Sequence, residues 1–367
     1  MSRQRLSLIE KFKRLDWFLL AVVLLLSAVG LINLRSASMH SPFSFHISQM
    51  VWLSAGFGLA LLIAFVNTRV FIQWAYAFYF VIIGLLVAVA LFGTELNASQ
   101  RWLNLGVFMM QPSELLKVGV ILVAARFFYD RDQSTPFGLR QLWMPGLLVG
   151  VGVLFVLKQP DLGTSMVILA IFASIVLFEG VRWESLMALL LVVVVAAPLS
   201  YNYGLQDYQR DRVSSYLNIE ADAQGKSWQV QQSLIAFGSG QVWGKGELEG
   251  TQIQKGFVPE HQNDFIAANW GEERGFVGML VLLGLYLAFV VAALNIARRA
   301  RDRFGVLVAV GVTAMFFWHV VVNLGMVTGV LPVVGLTLPL LSYGGSSLLA
   351  KMIGVGLLLN IAIHRRG

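Results

Sequence analysis

The chain of 367 residues contains no cysteine, and only 13% of its residues are charged. Without cysteine the chain has neither a disulfide framework nor a thiolate nucleophile. A typical soluble domain is about 25% charged, so the scarcity of charge excludes an ordinary soluble globular protein, a disordered chain and a coiled coil. Apolar residues are abundant instead, at 57%, which is the composition that a lipid environment demands.

Apolar runs long enough to cross a membrane recur along the whole chain. A membrane-spanning helix needs about 20 mostly apolar residues. The clear runs are 16–34, 47–67, 70–92, 185–203, 276–297 and 304–327, and the shorter or interrupted runs are 112–128, 142–158, 162–180 and 340–363. The sequence therefore predicts an all-α polytopic membrane protein with about ten transmembrane helices, built as a single integral membrane domain over residues 1–367.

Basic residues lie mainly on one side of this arrangement. A net charge of +7 would suggest nucleic acid as the partner of a soluble protein, but in a membrane protein basic residues mainly set topology. If the N-terminus is cytoplasmic, 16 lysines and arginines are cytoplasmic and 3 lie in the short outer connections. Long outer loops are left out of this comparison because they report topology poorly. We expect no nucleic-acid partner, an uncleaved first helix and both termini in the cytoplasm.

Residues 204–275 break the pattern of spans and form a large extracytoplasmic loop between the seventh and eighth predicted helices. A stretch of this length without a span is usually functional or a linker, and the lack of low-complexity repeats argues against a linker. Within the loop, Trp228–Ala236 has amphipathic spacing. This spacing predicts a helix near the membrane surface, followed by a glycine-rich loop.

Charged residues at membrane depth are the first candidates for function. Glu114 and Lys117 are three apart at the start of a span, so they share a helix face. They either neutralise each other or snorkel outward, or they line a polar cavity that opens outside, because intramembrane charges are costly and usually functional. Asp161 caps the following helix or lines a cavity, and the two roles are compatible because a capped helix start can also line a cavity. Arg101, beside a tryptophan in an outer connection, is either a solvated charge or a phosphate ligand.

The loop segment FVPEHQNDFIAANWGEERG, residues 257–275, concentrates carboxylates just before a span. Asp264 lies there beside apolar residues, and a partly buried carboxylate at the outer surface suits a general base that acts on a lipid-linked substrate. The alternative is a solvated acidic loop. Glu260, Glu272 and Glu273 are expected to tolerate substitution if they are only solvated loop charges.

A second informative segment is LPLLSYGGSS, residues 338–347. Its proline and glycines interrupt a helix at membrane depth, where irregular backbone is tolerated only if it is buried in protein or lines a cavity. Ser342 and the following Lys351 supply polar groups there. The five histidines are too scattered to predict a zinc site.

Seven ordered stretches together resemble one family, the SEDS proteins (shape, elongation, division and sporulation). They are SQRWLNLG, QPSELLKV, KQPDLGTS, GSGQVWGKG, GTQIQKGFVPEHQNDFI, GEERGFVG and LPLLSYGGSS. The resemblance implies the SEDS fold in the bacterial cytoplasmic membrane. It also implies a peptidoglycan glycosyltransferase that polymerises lipid II for cell elongation and shape, with a class B penicillin-binding protein, a transpeptidase, as its partner.

The resemblance also implies roles for individual residues. Asp264 matches the essential carboxylate of the family. The candidates for substrate binding are Glu114, Lys117, Asp161, Arg101, Ser342 and Lys351. The family usually has His-Thr before the aspartate, whereas this chain has Gln262 and Asn263, so the family's histidine is missing and Asn263 keeps a hydrogen-bonding side chain.

The chemistry of such a polymerase fits these residues. Lipid II carries its sugar on an α-linked pyrophosphate and the polymer is β-1,4-linked, so one inversion with one base suffices. Asp264 would take the proton from the acceptor hydroxyl. Lys117, Arg101 or a divalent cation such as Mg²⁺ or Mn²⁺ would hold the pyrophosphate. The alternatives are a lipid II flippase, which needs polar groups through the full membrane depth, and a non-catalytic scaffold.

Overall fold

The computed structural model describes residues 7–39, 41, 43–96, 99–104, 106, 108–131, 136–188, 191, 194, 210, 226–258, 260 and 262–365. The helices in these residues are α1 (Leu8–Lys13), α2 (Trp17–Ala37), α3 (Phe45–Phe65), α4 (Thr68–Phe92), α5 (Pro112–Tyr129), α6 (Leu139–Lys158), α7 (Leu162–Glu179), α8 (Lys226–Gly240), α9 (Thr251–Gln254), α10 (Ile266–Arg299), α11 (Arg303–Val327) and α12 (Gly345–Ile363). The strands β1 (Thr94–Leu96), β2 (Ser99–Asn104) and β3 (Met109–Met110) form a small antiparallel sheet in that order.

Most of these helices have the length and apolarity of membrane spans. Among the described residues, eight helices are long and apolar enough to cross a membrane. Helix α5 has 18 residues but carries three charges, and it packs against α4, α7, α11 and α12. The expected span 185–203 lies mostly outside the described residues. The prediction of an all-α polytopic membrane protein is confirmed.

Short polar side chains fix the points where several spans begin. Asp16, Asn67, Asp161 and Asp302 stand directly before α2, α4, α7 and α11. Each accepts a hydrogen bond from a main-chain amide of the first turn, at 2.9 to 3.1 Å. These amides have no partner within the helix, so the side chains satisfy groups that would be costly to leave bare near lipid.

Helices α11 and α12 form the centre of the bundle. In its most apolar stretch, α12 is 89% buried and α11 is 72% buried, whereas α3 and α4 are each 28% buried. The exposed faces of the peripheral helices are apolar, as lipid requires. Helices α3 and α12 pack very closely. A Cβ on Gly356 of α12 would lie only 2.8 Å from the carbonyl oxygen of Ala60 of α3.

Two span boundaries differ from the predicted ones by more than three residues. The run 340–363 becomes helical only at Gly345, because Gly344 has a φ of 157° that no helix accommodates. The span expected to begin at 276 belongs to a helix that begins at Ile266 and is interrupted at Gly275, with φ 63° and ψ −161°. Residues 266–274 are therefore helical rather than part of an open loop, and residues 266–273 are buried.

The loop expected over residues 204–275 contains a helix at the expected place. The amphipathic segment predicted at Trp228–Ala236 is confirmed as helical within α8, which packs on α10 and α11. Its Ser233 hydroxyl donates to the carbonyl oxygen of Val327 at the end of α11, over 2.8 Å. Most of residues 204–225 lie outside the described residues.

Candidate active site

A buried ionic cluster occupies the first turns of α5. Lys117 Nζ donates to Glu114 Oε1 over 2.7 Å, and Lys351 Nζ of α12 lies 3.9 Å from Glu114 Oε2. Lys117 is 0% exposed, Glu114 6% and Lys351 2%. The shared helix face is as predicted, and this burial excludes snorkelling to the surface. One carboxylate contacts two ammonium groups, so the three residues carry a formal excess of positive charge inside the protein.

His319 of α11 completes this cluster and was missed by the sequence analysis. Its Nδ1 lies 2.7 Å from the carbonyl oxygen of Met315, which can only accept, so Nδ1 carries the proton. The other nitrogen, Nε2, is then the acceptor for Lys117 Nζ at 2.9 Å. The signal that could have found it is a histidine within an apolar span, since ionisable residues there are rarely incidental.

Lys351 joins the cluster to the irregular segment between α11 and α12, residues 328–344, which we call the α11–α12 connection. Lys351 Nζ donates to Thr337 Oγ1 over 3.3 Å and also to the Ser347 hydroxyl. Thr337 and Ser347 share a further hydrogen bond of 2.7 Å. The second lysine is therefore held by hydroxyl groups as well as by the Glu114 carboxylate.

Asp161 serves as a helix cap and also meets charged and polar neighbours. Its Oδ1 accepts from the Thr164 amide over 3.1 Å, so the capping alternative is correct. Its Oδ2 accepts from Gln111 Nε2 over 3.2 Å and lies 3.9 Å from an Arg101 guanidinium nitrogen. Arg101 Nε donates to the Gln159 carbonyl oxygen over 2.7 Å, so Arg101 is fastened to the start of α7 rather than being only a solvated charge.

Asp264 is partly buried directly before α10 and rests on the α11–α12 connection. Asn323 Nδ2 donates to the main-chain oxygens of both Asp264 and Leu336, over 2.8 Å and 2.6 Å. The Asp264 carboxylate faces Gly335, where a Cβ would lie 3.3 Å from Oδ2. On the other side, a Cβ on Gly163 would lie 2.7 Å from the Val334 carbonyl oxygen. Asp264 and the start of α7 therefore contact the same short stretch of the connection.

Ser342 holds the shape of the connection. Its hydroxyl accepts from the Leu338 amide over 2.7 Å, and its carbonyl oxygen accepts from Gln49 Nε2 over 3.0 Å. The next amide, that of Tyr343, donates to the Gln262 carbonyl oxygen over 2.9 Å, close to Asp264 in sequence. Ser342 is buried, so its predicted contact with substrate remains a prediction.

Glu272 and Glu273 are not solvated loop charges, which corrects that alternative. They are 0% and 2% exposed. Glu272 accepts from Lys245 Nζ over 2.6 Å, from the Thr251 hydroxyl over 3.2 Å and from the Gln252 amide over 3.1 Å. Glu273 accepts from the hydroxyl of Ser36, and from the main-chain amide of Leu248 over 3.0 Å.

Glu260 alone among these loop glutamates fits the solvated alternative. It is exposed, and it accepts from Asn263 Nδ2 over 2.7 Å. Its neighbours Glu272 and Glu273 act as internal anchors because α10 begins ten residues earlier than predicted, at Ile266 rather than 276. The start of the helix therefore decides which loop carboxylates are buried.

The donor set for a metal ion is sparse in the described part of the chain. No group of three or more His, Asp or Glu side chains is close enough there to hold a metal ion by itself. Mg²⁺ commonly binds through one or two carboxylates together with substrate phosphates. Asp264 and Asp161 fit that mode as single carboxylates, so a divalent cation would depend on the substrate for its other ligands.

The fold and the buried charges define a multi-pass membrane protein with a polar site at one end of its helix bundle. A family model described as cell cycle protein, covering FtsW, RodA and SpoVE, matches residues 13–367. The chain belongs to this family, the SEDS family that its motifs resemble. The expectations of family and fold are thereby confirmed.

Curated relatives carry the same activity in their names. The chain is 41% identical over 314 residues to "Peptidoglycan glycosyltransferase MrdB" of Escherichia coli K12, covering 86% of this chain and 84% of that protein. It is 32% identical over 421 residues to "Peptidoglycan glycosyltransferase RodA" of Treponema pallidum, covering 94% and 97%. The prediction of a glycosyltransferase of peptidoglycan synthesis is confirmed by these names.

Solved structures have the same fold. A chain of a complex described as "Structural coordination of polymerization and crosslinking by a peptidoglycan synthase complex" matches with a TM-score of 0.83, 33% identity and coverage of 96% of this chain and 98% of that one. The rod shape determining protein RodA of Thermus thermophilus matches with a TM-score of 0.71, 30% identity and coverage of 96% and 98%.

Proposed function

We propose that this protein polymerises lipid II into β-1,4 glycan strands at the outer face of the bacterial cytoplasmic membrane, with Asp264 as the general base. One observation carries the proposal. The α11–α12 connection contacts the Asp264 carboxylate at Gly335 and the buried Lys351 at Thr337. Two residues of chain span at most about 7 Å, so a base and a cationic cluster flank one short segment.

The base and the cationic cluster together supply the proton acceptor and the charge stabilisation that an inverting glycosyl transfer needs. Asp264 accepts the proton of the acceptor 4-hydroxyl as that oxygen attacks the anomeric carbon of the donor, and the bond to the pyrophosphate breaks. The leaving pyrophosphate gains negative charge, which the excess positive charge of the Lys117 and Lys351 cluster stabilises. A divalent cation bound to the pyrophosphate would add to the same stabilisation.

The depth of the charged groups favours an enzyme over a flippase. Lys117 is the sixth residue of α5 and Lys351 the seventh of α12, so they lie roughly 8 and 9 Å below the starts of their helices at 1.5 Å per residue. Asp161 and Asp264 stand before the helix starts themselves. These groups lie in the upper third of a hydrocarbon core of about 30 Å, whereas a flippase needs a polar route through all of it.

A transpeptidase partner follows from the product. Glycan strands released outside the membrane require crosslinking, and the similar solved chain belongs to a peptidoglycan synthase complex. We propose a class B penicillin-binding protein whose single membrane helix docks on α10 and α11, where Leu287 and Phe317 are exposed. Single cysteines at these two positions should crosslink to that partner in this cysteine-free chain, and failure at both would count against this docking site.

Polymerisation of lipid II by the purified protein, alone and with its partner, tests the proposed function. Asp264→Asn keeps size and hydrogen bonding but cannot take the proton, so we expect a loss of roughly 10²–10⁴-fold with lipid II binding retained. Glu260→Gln is the matched control, since Glu260 is an exposed carboxylate four residues away, and it should retain full rate. Near wild-type polymerisation by Asp264→Asn would overturn the assignment.

If Asp264 holds a metal ion rather than a proton, the same variant behaves differently. A base gives an acid limb in the pH profile that disappears in Asp264→Asn. A ligand gives a lower metal affinity, with activity partly restored at high Mg²⁺ or Mn²⁺ concentration. Titration of the variant with both metals therefore separates the two roles.

A further inference from the structure

A polar cavity lies at the opposite end of the helix bundle from Asp264. It measures about 120 Å³, several times the roughly 10–15 Å³ that one water needs on the same measure, so a tetrahedral phosphate group fits. Its lining residues come from the start of α4, the end of α5, the start of α11 and the end of α12. The polar ones among them are Asn67, Thr68, Arg69, Tyr129, Arg301, Asp302 and His364.

The lining is built to receive an anion. Helices α4 and α11, each of 25 residues, begin at this cavity through Asn67 and Asp302. The positive ends of two helix dipoles therefore converge on it. Asp302 is the acidic member of the lining, and its Oδ1 is already occupied by the Gly305 amide at 2.9 Å. Arg69 and Arg301 add two positive charges.

The charges around the cavity are also positive. Burial lowers the pKa of His364, and Lys11, Arg301 and Arg14 lower it further, while the hydrogen bond between His364 and the Asn360 carbonyl oxygen opposes these effects. Lys11 and Arg14 do not line the cavity, but their positive charges act on His364, which does.

The cavity lies at the predicted cytoplasmic end. Lys11 of α1 donates to the Phe65 carbonyl oxygen at the end of α3, over 2.9 Å, so the basic N-terminal segment borders this end. Basic pockets between membrane helices on the cytoplasmic side suit the phosphate groups of anionic lipids. We propose that this cavity binds a phosphate group, presented by an anionic lipid headgroup of the inner leaflet or free in solution.

Native mass spectrometry of the full chain, released from nanodiscs of mixed phosphatidylglycerol and phosphatidylcholine, tests this site. We expect selective retention of phosphatidylglycerol, weakened about five-fold for each arginine removed and hence about 25-fold in Arg69→Gln/Arg301→Gln. The matched control is Arg298→Gln/Arg299→Gln, two exposed arginines near the same end that do not line the cavity. Equal loss in both double variants would overturn the proposal, because the effect would then be general surface charge.

Two further arms complete the experiment. Arg69→Lys/Arg301→Lys keeps the charge and should keep most of the selectivity, which guards against a folding defect in the glutamine variants. In detergent without lipid, inorganic phosphate should raise the unfolding temperature of the wild type, but not of Arg69→Gln/Arg301→Gln, if the ligand is free phosphate. Selective lipid retention without this shift identifies the headgroup as the source. No selectivity for phosphatidylglycerol and no effect of phosphate would refute the site.

Discussion

The hydrogen bonds around Lys117 define the role of His319 in the buried cluster. The Met315 carbonyl oxygen fixes the tautomer of His319. His319 and Glu114 then accept hydrogen bonds from two of the three N–H groups of the Lys117 ammonium group. An ammonium group in the membrane interior is stable only when its protons have acceptors. His319 is therefore a positioning residue that orients Lys117 rather than a second base.

Substitution of His319 tests this role. His319→Leu leaves one buried donor of Lys117 without an acceptor, which costs about 1–3 kcal/mol or more for a charged group. His319→Gln offers a carbonyl oxygen and should recover part of the loss. The unfolding temperature in detergent and the rate of lipid II polymerisation measure the two effects. If Leu and Gln variants behave alike, the hydrogen bond to Lys117 does not matter.

The same residues show how far sequence reasoning reaches at a site. Glu114 and Lys117 could be paired from spacing alone, because three residues apart on a helix is a local geometry. His319 could not be joined to them, since the contact lies 202 residues away in sequence and depends on how α11 packs on α5. The scattered positions of the histidines argue only against a zinc site, and they do not predict that one of them accepts a hydrogen bond from Lys117.

At the scale of elements, the two buried carboxylates of α10, Glu272 and Glu273, connect this helix to several other segments. Glu272 binds the segment around Lys245 and the first turn of α9, and Glu273 binds α2 through Ser36. The glycine-rich loop that follows α8 is thus fastened to the helix that begins beside Asp264. We expect this anchoring to set the position of the Asp264 loop relative to the bundle.

Removal of the Glu272 carboxylate should be far more damaging than removal of the exposed one. Glu272→Ala removes the acceptor of the Lys245 ammonium group, the Thr251 hydroxyl and the Gln252 amide, and loss of hydrogen bonds to a charged group costs about 1.5–3 kcal/mol. Glu260→Ala should stay within about 0.5 kcal/mol. Thermal or denaturant unfolding of the purified variants checks the contrast. Equal tolerance of both substitutions would restore the interpretation of a solvated acidic loop.

The interruption of α10 depends on Gly275. Its φ of 63° and ψ of −161° lie in a region that is essentially restricted to glycine. The break also frees the amides of Phe276 and Val277, which donate to the carbonyl oxygens of Gln241 and Val242 over 2.9 and 3.1 Å. Glycine at this point therefore lets the glycine-rich loop pair with the helix.

Alanine at position 275 should destabilise the protein. We expect a cost of about 1–3 kcal/mol from backbone strain, increased by overlap of the new Cβ with the main chain of Gly244. Gly284→Ala on the same helix is the control, because nothing lies within 4 Å of a Cβ there and alanine favours a helix. The difference in unfolding temperature between the two variants is the measurement. A neutral Gly275→Ala would show that α10 can straighten without cost.

Hydropathy predicted the spans well, but not where helices meet loops. The start of α10 at Ile266 was missed because residues 266–275 include Glu272, Glu273 and Arg274, which lower the hydropathy of the segment. The two glutamates are buried, and Glu272 pairs there with Lys245, a partner that cannot be inferred from the local sequence. The proline and glycines of residues 338–347 predict an interruption before α12. The residue at which α12 begins depends on the backbone angles of Gly344, which the sequence does not give.

At the scale of the whole molecule, the two termini of the described chain lie at the same end of the bundle. Lys11 and Arg14 act electrostatically on His364, and the Asn360 side chain donates to the Val66 carbonyl oxygen after α3, over 2.7 Å. An even number of crossings is therefore required. Nine helices of spanning length lie in the described residues, namely the eight apolar ones and α5, and the tenth crossing remains a prediction for a segment mostly outside those residues.

The expected span 185–203 would provide that crossing, and labelling with a membrane-impermeant maleimide can test the resulting topology. The natural chain has no cysteine, so each introduced cysteine reports one position. We expect Ser41→Cys and Gly238→Cys, which lie at the end of the bundle near Asp264, to react in intact spheroplasts. Ser7→Cys and Arg365→Cys should react only after lysis, because the excess of basic residues holds their end in the cytoplasm.

Labelling of Arg365→Cys without lysis, while Ser7→Cys stays protected, would mean an odd number of crossings. Protection of Gly238→Cys would put the loop beside Asp264 on the wrong side for a substrate presented outside.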